Sequence, residues 1–260
     1  MLQNDTLHNQ TLMNREDLPA KEMDRIMQEA GGSSRLDALP AGWTARQVIE
    51  ALGEILSDER KARIQSVIGG RTRTIATVVE GIVNTGNVSA VMRTAEALGF
   101  QDFHVIRGSN PYKHSVRTTQ GAQKWLDVHL WDNTTECIQK LKSDGYRIVV
   151  THLDESATEL AEVDFTQKTA VVFGNELAGA SVDLLRLADQ KVVIPSTGFV
   201  QSFNISVAAA MTLQKASDDR RRVLGQSGDL SETEKERLTA EFYIRAVNHS
   251  NDILRRKPKG

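Results

Sequence analysis

From Thr74 onward the chain alternates short, nearly continuous apolar runs with stretches of helical spacing, and few architectures accommodate that pattern. The runs are IATVVE (75–80), FHVIR (103–107), WLDVHLW (125–131), RIVVTH (147–152), AVVFG (170–174) and KVVIP (191–195). Helical patterns fall between most of them, over 87–98, 134–144, 181–188 and 203–216. Strands so rich in Val and Ile, without polar alternation, are buried on both faces, and intervening helices make the connections parallel. The expectation is an α/β fold, a parallel sheet with helices on both faces.

The flanks read differently. Residues 1–40 are polar and end in the loose run GGSSRLDALPAG, as in a weakly ordered arm. Thr44 with Gln47 has the spacing of a capping box, and Val48, Leu52, Ile55 and Leu56 follow at helical intervals. Ser57 opens a second helix that Gly69 and Gly70 stop. Residues 41–70 therefore form an N-terminal helical extension, and residues 71–217 hold the α/β domain. Residues 218–260 are expected to form a linker and a basic C-terminal helix. The polar run SDDRRRVLGQSGDL (217–230) supplies the linker. Ser231 and Glu234 form a second capping box, before a helix carrying Leu238, Phe242 and Ile244 and the tail LRRKPKG.

Composition excludes several classes. With 40% hydrophobic and 25% charged residues the chain can bury an ordinary core, and its net charge of -2 leaves nucleic-acid contact to local basic clusters. A single cysteine, Cys137, excludes an internal disulfide framework and fits a reducing compartment. It lies in a helical pattern and reads as a buried structural thiol. No apolar run is long enough to span a bilayer, and the first residues lack the basic and apolar regions of a secretory signal. A cytoplasmic protein, or one of another reducing intracellular compartment, with no membrane partner is expected. Phosphate-loop and dinucleotide glycine motifs are absent, as is a nucleophile elbow. The six histidines have no C-x-x-C or H-E-x-x-H context, so no metal is expected.

Three loops that follow strand runs carry polar residues beyond what a connection requires, and ligands of open α/β proteins bind at that edge. In EGIVNTGNVSAVMRTAEALGF (80–100), Asn87 is placed to cap a helix, and Arg93 follows within an apolar stretch. Arg93 either snorkels to solvent or faces an anion. In FGNELAGAS (173–181), Gly174 and Gly179 bracket Glu176, which suits a site or simply the first turn of a helix. The loop of IPSTGFVQSFNISVAAAM (194–211) offers Ser196, Thr197, Gln201, Ser202 and Asn204, which a capped turn would only partly use.

In this order, NVSAVMRTAEALGF, VVFGNELAG and IPSTGFVQSFNISVAAAMTL resemble the three motifs of the SpoU family of RNA 2'-O-methyltransferases, also called TrmH, within the SPOUT superfamily. The resemblance covers roughly residues 57–255. The tract TTQGAQKWLDVHLW is similar to the branch that methylates tRNA guanosine at position 18. It departs from the usual pattern at NTGN, at NEL, at Phe203 in place of Leu, and at Thr197 in place of a larger apolar residue. These departures bear on pocket shape and RNA choice.

What the resemblance implies is a C-terminal deep trefoil knot, S-adenosyl-L-methionine as methyl donor, an RNA substrate, and a homodimer whose sites are completed by the second subunit. Phe203, Ile205 and Val207 would then lie partly in the interface. The favoured substrate is tRNA, methylated at a guanosine ribose. An rRNA substrate, or a catalytically inactive RNA-binding relative, are the alternatives. Carried over by position, Asn87, Arg93, Glu176, Ser202 and Asn204 correspond to the catalytic set. Thr151, Gly174, Ile194, Gly198, Ser202 and Phe203 correspond to the donor pocket. RNA is expected on local charge: Arg71 and Arg73, Arg107, Lys113 and Arg117, Arg220 to Arg222, and Arg255, Arg256, Lys257 and Lys259.

Overall fold

The structure is a computed structural model that describes residues 39–82, 84–107, 121–154 and 156–256. Residues 1–38 of the expected arm (1–40), Lys113 and Arg117, and Lys257 and Lys259 lie outside the described residues, and Leu39 of that arm packs against a core. Seven strands form one sheet: β1 (Ile75–Glu80), β2 (Asp102–Ile106), β3 (Asp127–Trp131), β4 (Arg147–Thr151), β5 (Thr158–Glu159), β6 (Thr169–Phe173) and β7 (Gln190–Val193). Their order is β3-β2-β1-β6-β4-β7-β5, and every pairing is parallel. Each expected strand is present with its ends moved by a residue or two. β5 was not expected, because a two-residue edge strand leaves no periodicity to detect.

The register explains where the loops meet. Phe173 at the end of β6 pairs with Val79 of β1 and Thr151 of β4, and Thr151 pairs with Val192 of β7. The carboxyl ends of four adjacent strands are thus level, so the segments that follow them open on one edge.

Alternate side chains on each strand serve two cores. Ile75 and Val79 of β1 face α3 (Thr85–Ala97) and α6 (Ile205–Leu224), packing with Val91, Met92, Ala209 and Leu213. Ala76 and Val78 face α4 (Thr134–Ser143) and α5 (Val182–Leu187), packing with Ile138, Leu141 and Leu184. Helices therefore cover both faces, as expected.

Two boundaries differ from the expectation. Asn84, not Asn87, caps α3, its side chain accepting from the Gly86 amide at 2.8 Å, which leaves Asn87 in the first turn. Asn84 and Asn87 are both competent caps in the sequence, and the chain uses the first. Helix α6 does not yield to a linker at 217. It runs to Leu224, where Gly225 adopts a left-handed φ of 70°. Ser217, Asp219 and Arg220 are buried on α6, with Lys215 bonded to Asp219 at 2.7 Å and Arg220 paired with Asp229, so ion pairs take the place of apolar packing there.

A third core joins the two flanks. Helices α1 (Ala45–Gly53) and α2 (Asp58–Gly69) pack with α7 (Glu232–Ala246) and α8 (Ser250–Arg256) through Val48, Leu52, Ile64, Leu238, Phe242 and Leu254. Both expected capping boxes, Thr44 with Gln47 and Ser231 with Glu234, are formed. This layer is tied to the amino-terminal ends of the strands by buried charge. Arg73 bonds Asp102 and Asp127, and Arg245 of α7 reaches the same Asp127 at 2.8 Å. Arg71 is only 1% exposed and bonds Glu96 at 2.6 Å. Arg71, Arg73 and Arg220, expected to contact RNA, are therefore structural cations whose carboxylate partners lie within the fold. Arg221, Arg222, Arg255 and Arg256 remain exposed, and Arg107 is half-buried beside Asp132.

Candidate functional site

A cavity of about 540 Å³ opens at the level carboxyl ends of β4, β6 and β7. Its walls are Thr151 to Leu153 after β4, Gly174 to Gly179 after β6, Val192 to Ile194 at the end of β7, and Gln201 to Ile205 with Ala208 at the start of α6. Of the expected site residues, Thr151, Gly174, Glu176, Ile194, Ser202, Phe203 and Asn204 line it. Gly198 does not line the cavity, although it belongs to the same exposed loop.

The backbone is close-packed where the first wall turns. A Cβ on Gly174 would stand 2.5 Å from the Ala180 nitrogen and 2.6 Å from the Gly179 carbonyl carbon, so only glycine fits. The turn is closed by paired amide bonds of 2.9 Å between Asn175 and Gly179, and Gly179 has a φ of +70°. Asn175 Oδ1 accepts from the Leu177 and Ala178 amides at 2.8 and 2.9 Å, while its Nδ2 donates to the Gly81 carbonyl at 2.6 Å. Asn175, together with the wall residue His152, was missed in the sequence, and Gln201 was noted only as a polar residue of its loop. Its position directly after the strand-end Gly174, in a turn that Gly179 closes, was the available signal.

Asn87 reaches the wall from α3. Its Nδ2 donates to Glu176 Oε1 at 2.9 Å, and its Oδ1 stands 3.5 Å from Asn204 Nδ2. Asn204 Oδ1 in turn accepts from the Ser206 amide at 2.9 Å and so caps α6. One polar chain, Asn204–Asn87–Glu176, thereby joins the three motif loops at the cavity rim.

Arg93 is not part of that chain. It is exposed on α3, does not line the cavity, and has no ion-pair partner among the described residues. Six residues separate it from Asn87, about one and two-thirds turns at 3.6 residues per turn. The two side chains therefore leave the helix on different faces. Leu177 and Phe203 of the cavity lining, Phe199 and Val200 of the preceding loop, and Val207 and Met211 of α6 are exposed apolar residues, whereas Ile205, expected at an interface, is buried in the sheet core. Cys137 is fully buried, and burial pushes its thiol pKa up, which removes it as a nucleophile.

Residues 74–214 match the model of the SpoU rRNA methylase family, and the chain belongs to that family of RNA methyltransferases. It is 38% identical over 208 residues to the tRNA (guanosine(18)-2'-O)-methyltransferase of Borreliella burgdorferi, covering 77% of this chain and 92% of that protein. The enzyme of the same name from Escherichia coli K12 is 32% identical over 189 residues, 72% of this chain and 82% of that protein. Among solved structures, the A. aeolicus TrmH/SpoU tRNA modifying enzyme superposes with a TM-score of 0.68 at 31% identity, over 74% of this chain and 98% of that one. An AdoMet-bound rRNA methyltransferase from Sinorhizobium meliloti gives a TM-score of 0.53 at 26% identity, over 62% of this chain and 60% of that one. No helix among the described residues is long and apolar enough to cross a membrane.

Proposed function

We propose that this protein transfers the methyl group of S-adenosylmethionine to the ribose 2'-hydroxyl of a guanosine in tRNA. The observation that carries the proposal is the Asn204–Asn87–Glu176 chain on the rim of a cavity whose inner wall is backbone packed too closely for any side chain at Gly174. The cavity fits the donor by its chemistry. Apolar side chains (Ile194, Phe203) face exposed main chain and a few hydroxyl and amide groups, as a nucleoside with a short amino-acid arm requires. Thr151, Gly174, Ile194, Ser202 and Phe203 are assigned to the donor, and Gly198, which stands off the cavity, is left out of that set. When bound, the donor supplies an electrophilic methyl group on a sulfonium.

Glu176, Asn87, Ser202 and Asn204 are assigned to the attacking ribose side. The 2'-oxygen forms a bond to the methyl carbon as the carbon–sulfur bond breaks, the donor leaves as a neutral thioether, and the hydroxyl proton passes to solvent water. Arg93 is a poor acceptor for it, because a guanidinium is protonated at every pH of interest. Its role here is to clamp a substrate phosphate and stabilise charge developing on the 2'-oxygen. Exposure, and the lack of an ion-pair partner among the described residues, support its donation to the site of a second subunit in a homodimer, closed over Phe199, Phe203, Val207 and Met211. A deep trefoil knot in the C-terminal part is consistent with the insertion of β6 between β1 and β4 before the chain crosses to β7. Residues 71–217 are assigned the chemistry. The 41–70 helices and residues 218–260 are assigned to the RNA-facing layer.

Two experiments test this reading. Incubated with labelled donor and purified tRNA or rRNA, the protein should label tRNA, and mapping should find a 2'-O-methylguanosine. Label confined to rRNA, or none, overturns the assignment. Arg93→Ala should lower turnover at saturating RNA by about a hundredfold, with Arg93→Lys retaining part of the rate and of the RNA affinity. Near-normal turnover in the Ala variant removes Arg93 from the chemistry.

A further inference from the structure

Glu80 ends the central strand β1 as a buried carboxylate, and no cation pairs with it among the described residues. An unpaired buried charge is unfavourable unless every lone pair is used. Here three neutral donors converge on it: the Ser181 amide at 2.9 Å, the Ser181 hydroxyl at 2.7 Å and the Thr134 hydroxyl at 2.5 Å. Thr134 opens α4, so the partial positive charge of that helix terminus also faces the carboxylate. An apolar residue would fill the same space with less desolvation. It could not hold an amide and a hydroxyl of one residue in fixed directions.

Ser181 stands two residues beyond Gly179, the last lining residue of that cavity wall. The wall begins at Gly174, and its other anchor is Asn175 Nδ2 on the carbonyl of Gly81, the next residue after Glu80. Both ends of the segment carrying Glu176 are therefore fastened to two consecutive residues, Glu80 at the end of β1 and Gly81 just after it. Asn87, which binds Glu176, stands on the helix that follows that strand. The separation between Asn87 and the Glu176 segment is thereby referenced to a single backbone point.

We infer that Glu80 is a positioning residue for methyl transfer, acting through Ser181 to fix the Gly174–Ser181 segment, whose first six residues form the wall, and hence the Glu176 carboxylate. The inference rests on the proposed methyl-transfer reading of the cavity. Glu80→Gln keeps the volume but replaces one accepting oxygen with an NH2 group, so a hydroxyl that donated to the carboxylate must turn round to accept, and the negative charge that strengthens all three bonds is lost.

The test measures donor affinity by calorimetry and kcat with tRNA, well below the melting transition, for wild type, Glu80→Gln, Ser181→Ala, the double variant and Ser181→Thr. Displacing a reacting group from outside the site can lower rates by up to about a hundredfold. Each of Glu80→Gln and Ser181→Ala is expected to weaken donor binding and kcat about tenfold, leaving the KM for tRNA unchanged. The double variant should be no worse than the poorer single one, because both remove one linkage. Ser181→Thr should restore wild-type values. A buried packing control, Ile138→Val, should lower the melting point without changing donor affinity. Wild-type affinity and kcat in a folded Glu80→Gln variant, or additive losses in the double variant, overturn the inference. If Glu80→Gln fails to fold, Ser181→Ala decides alone: lowered melting with unchanged donor affinity overturns the inference, and weakened affinity supports it. A wild-type protein that neither binds donor nor methylates RNA refutes the methyl-transfer reading instead.

Discussion

Gly174→Ala is expected to abolish measurable binding of S-adenosylmethionine. The added methyl would lie 2.5, 2.6 and 2.7 Å from the Ala180 nitrogen and the Gly179 carbon and oxygen, all of them backbone atoms. No rotamer change relieves such a contact, so the wall itself must move. It is held on both sides, by Asn175 on Gly81 and by Ser181 on Glu80, and it is cinched by the Asn175–Gly179 pair. Movement therefore breaks hydrogen bonds at the place where the donor is proposed to sit. Overpacking of this kind costs about 1–3 kcal/mol of stability, which a melting curve will register while the protein still folds. Calorimetry supplies the second readout. Gly198→Ala is the matched control: its nearest backbone contact is 4.0 Å away, its φ is not in the left-handed region, and it stands off the cavity. That variant should bind donor normally and melt within about 0.5 kcal/mol of wild type. Donor binding by Gly174→Ala within a few-fold of wild type would sink the backbone-cradle assignment, and loss of binding in Gly198→Ala would restore that glycine to the pocket.

How much of this was readable in the sequence depends on whether the signal was local. Strand runs such as IATVVE are legible because burial on both faces demands unbroken apolar character, and Ile75–Glu80 is observed where the pattern begins and ends. Capping boxes at Thr44 and Ser231 are legible because three-residue spacing and residue type suffice. The cavity lining was legible through motif order, since Thr151, Gly174, Glu176, Ile194, Ser202, Phe203 and Asn204 all reach one wall. The cations were misread for the opposite reason. Arg71, Arg73 and Arg220 look like solvated surface in a window of ten residues. Their partners Glu96, Asp102, Asp127 and Asp229 are brought to them only by the fold. Glu80 was hidden similarly, as the last residue of an apolar strand whose donors lie 54 and 101 residues away. Long-range polar partnership has no periodicity, and a sequence window does not register it.

Asp127→Asn is expected to destabilise the protein by about 3 kcal/mol or more, the magnitude found when one partner of a buried ion pair is removed. Asp127 is the first residue of β3 and 2% exposed, and it receives Arg73, Arg245 and the Gln101 amide, the last two at 2.8 and 3.0 Å. Asn preserves the shape and part of the hydrogen bonding but leaves the buried Arg245 and the half-buried Arg73 without their shared counter-charge. Burial by itself would raise the Asp127 pKa. Arg245 and Arg73 outweigh it and hold the carboxyl at about 2, below the usual carboxylate range. The sign of the pH effect follows. A depressed folded-state pKa stabilises the fold fully above the unfolded value, and that contribution fades as pH falls from about 4 toward 2, amounting to about 2 kcal/mol. Wild type should therefore lose stability across that window, and Asp127→Asn should lose less, because it has already forfeited the charged form at neutral pH. Arg245 belongs to α7, so the same substitution also cuts the tie between the flanking helical layer and the sheet. Urea titrations at pH 7 and pH 3 provide the measurement. Equal midpoints for the two proteins at pH 7 would mean that the buried charge cluster contributes no net stability and that apolar packing of α1, α2 and α7 alone secures that layer.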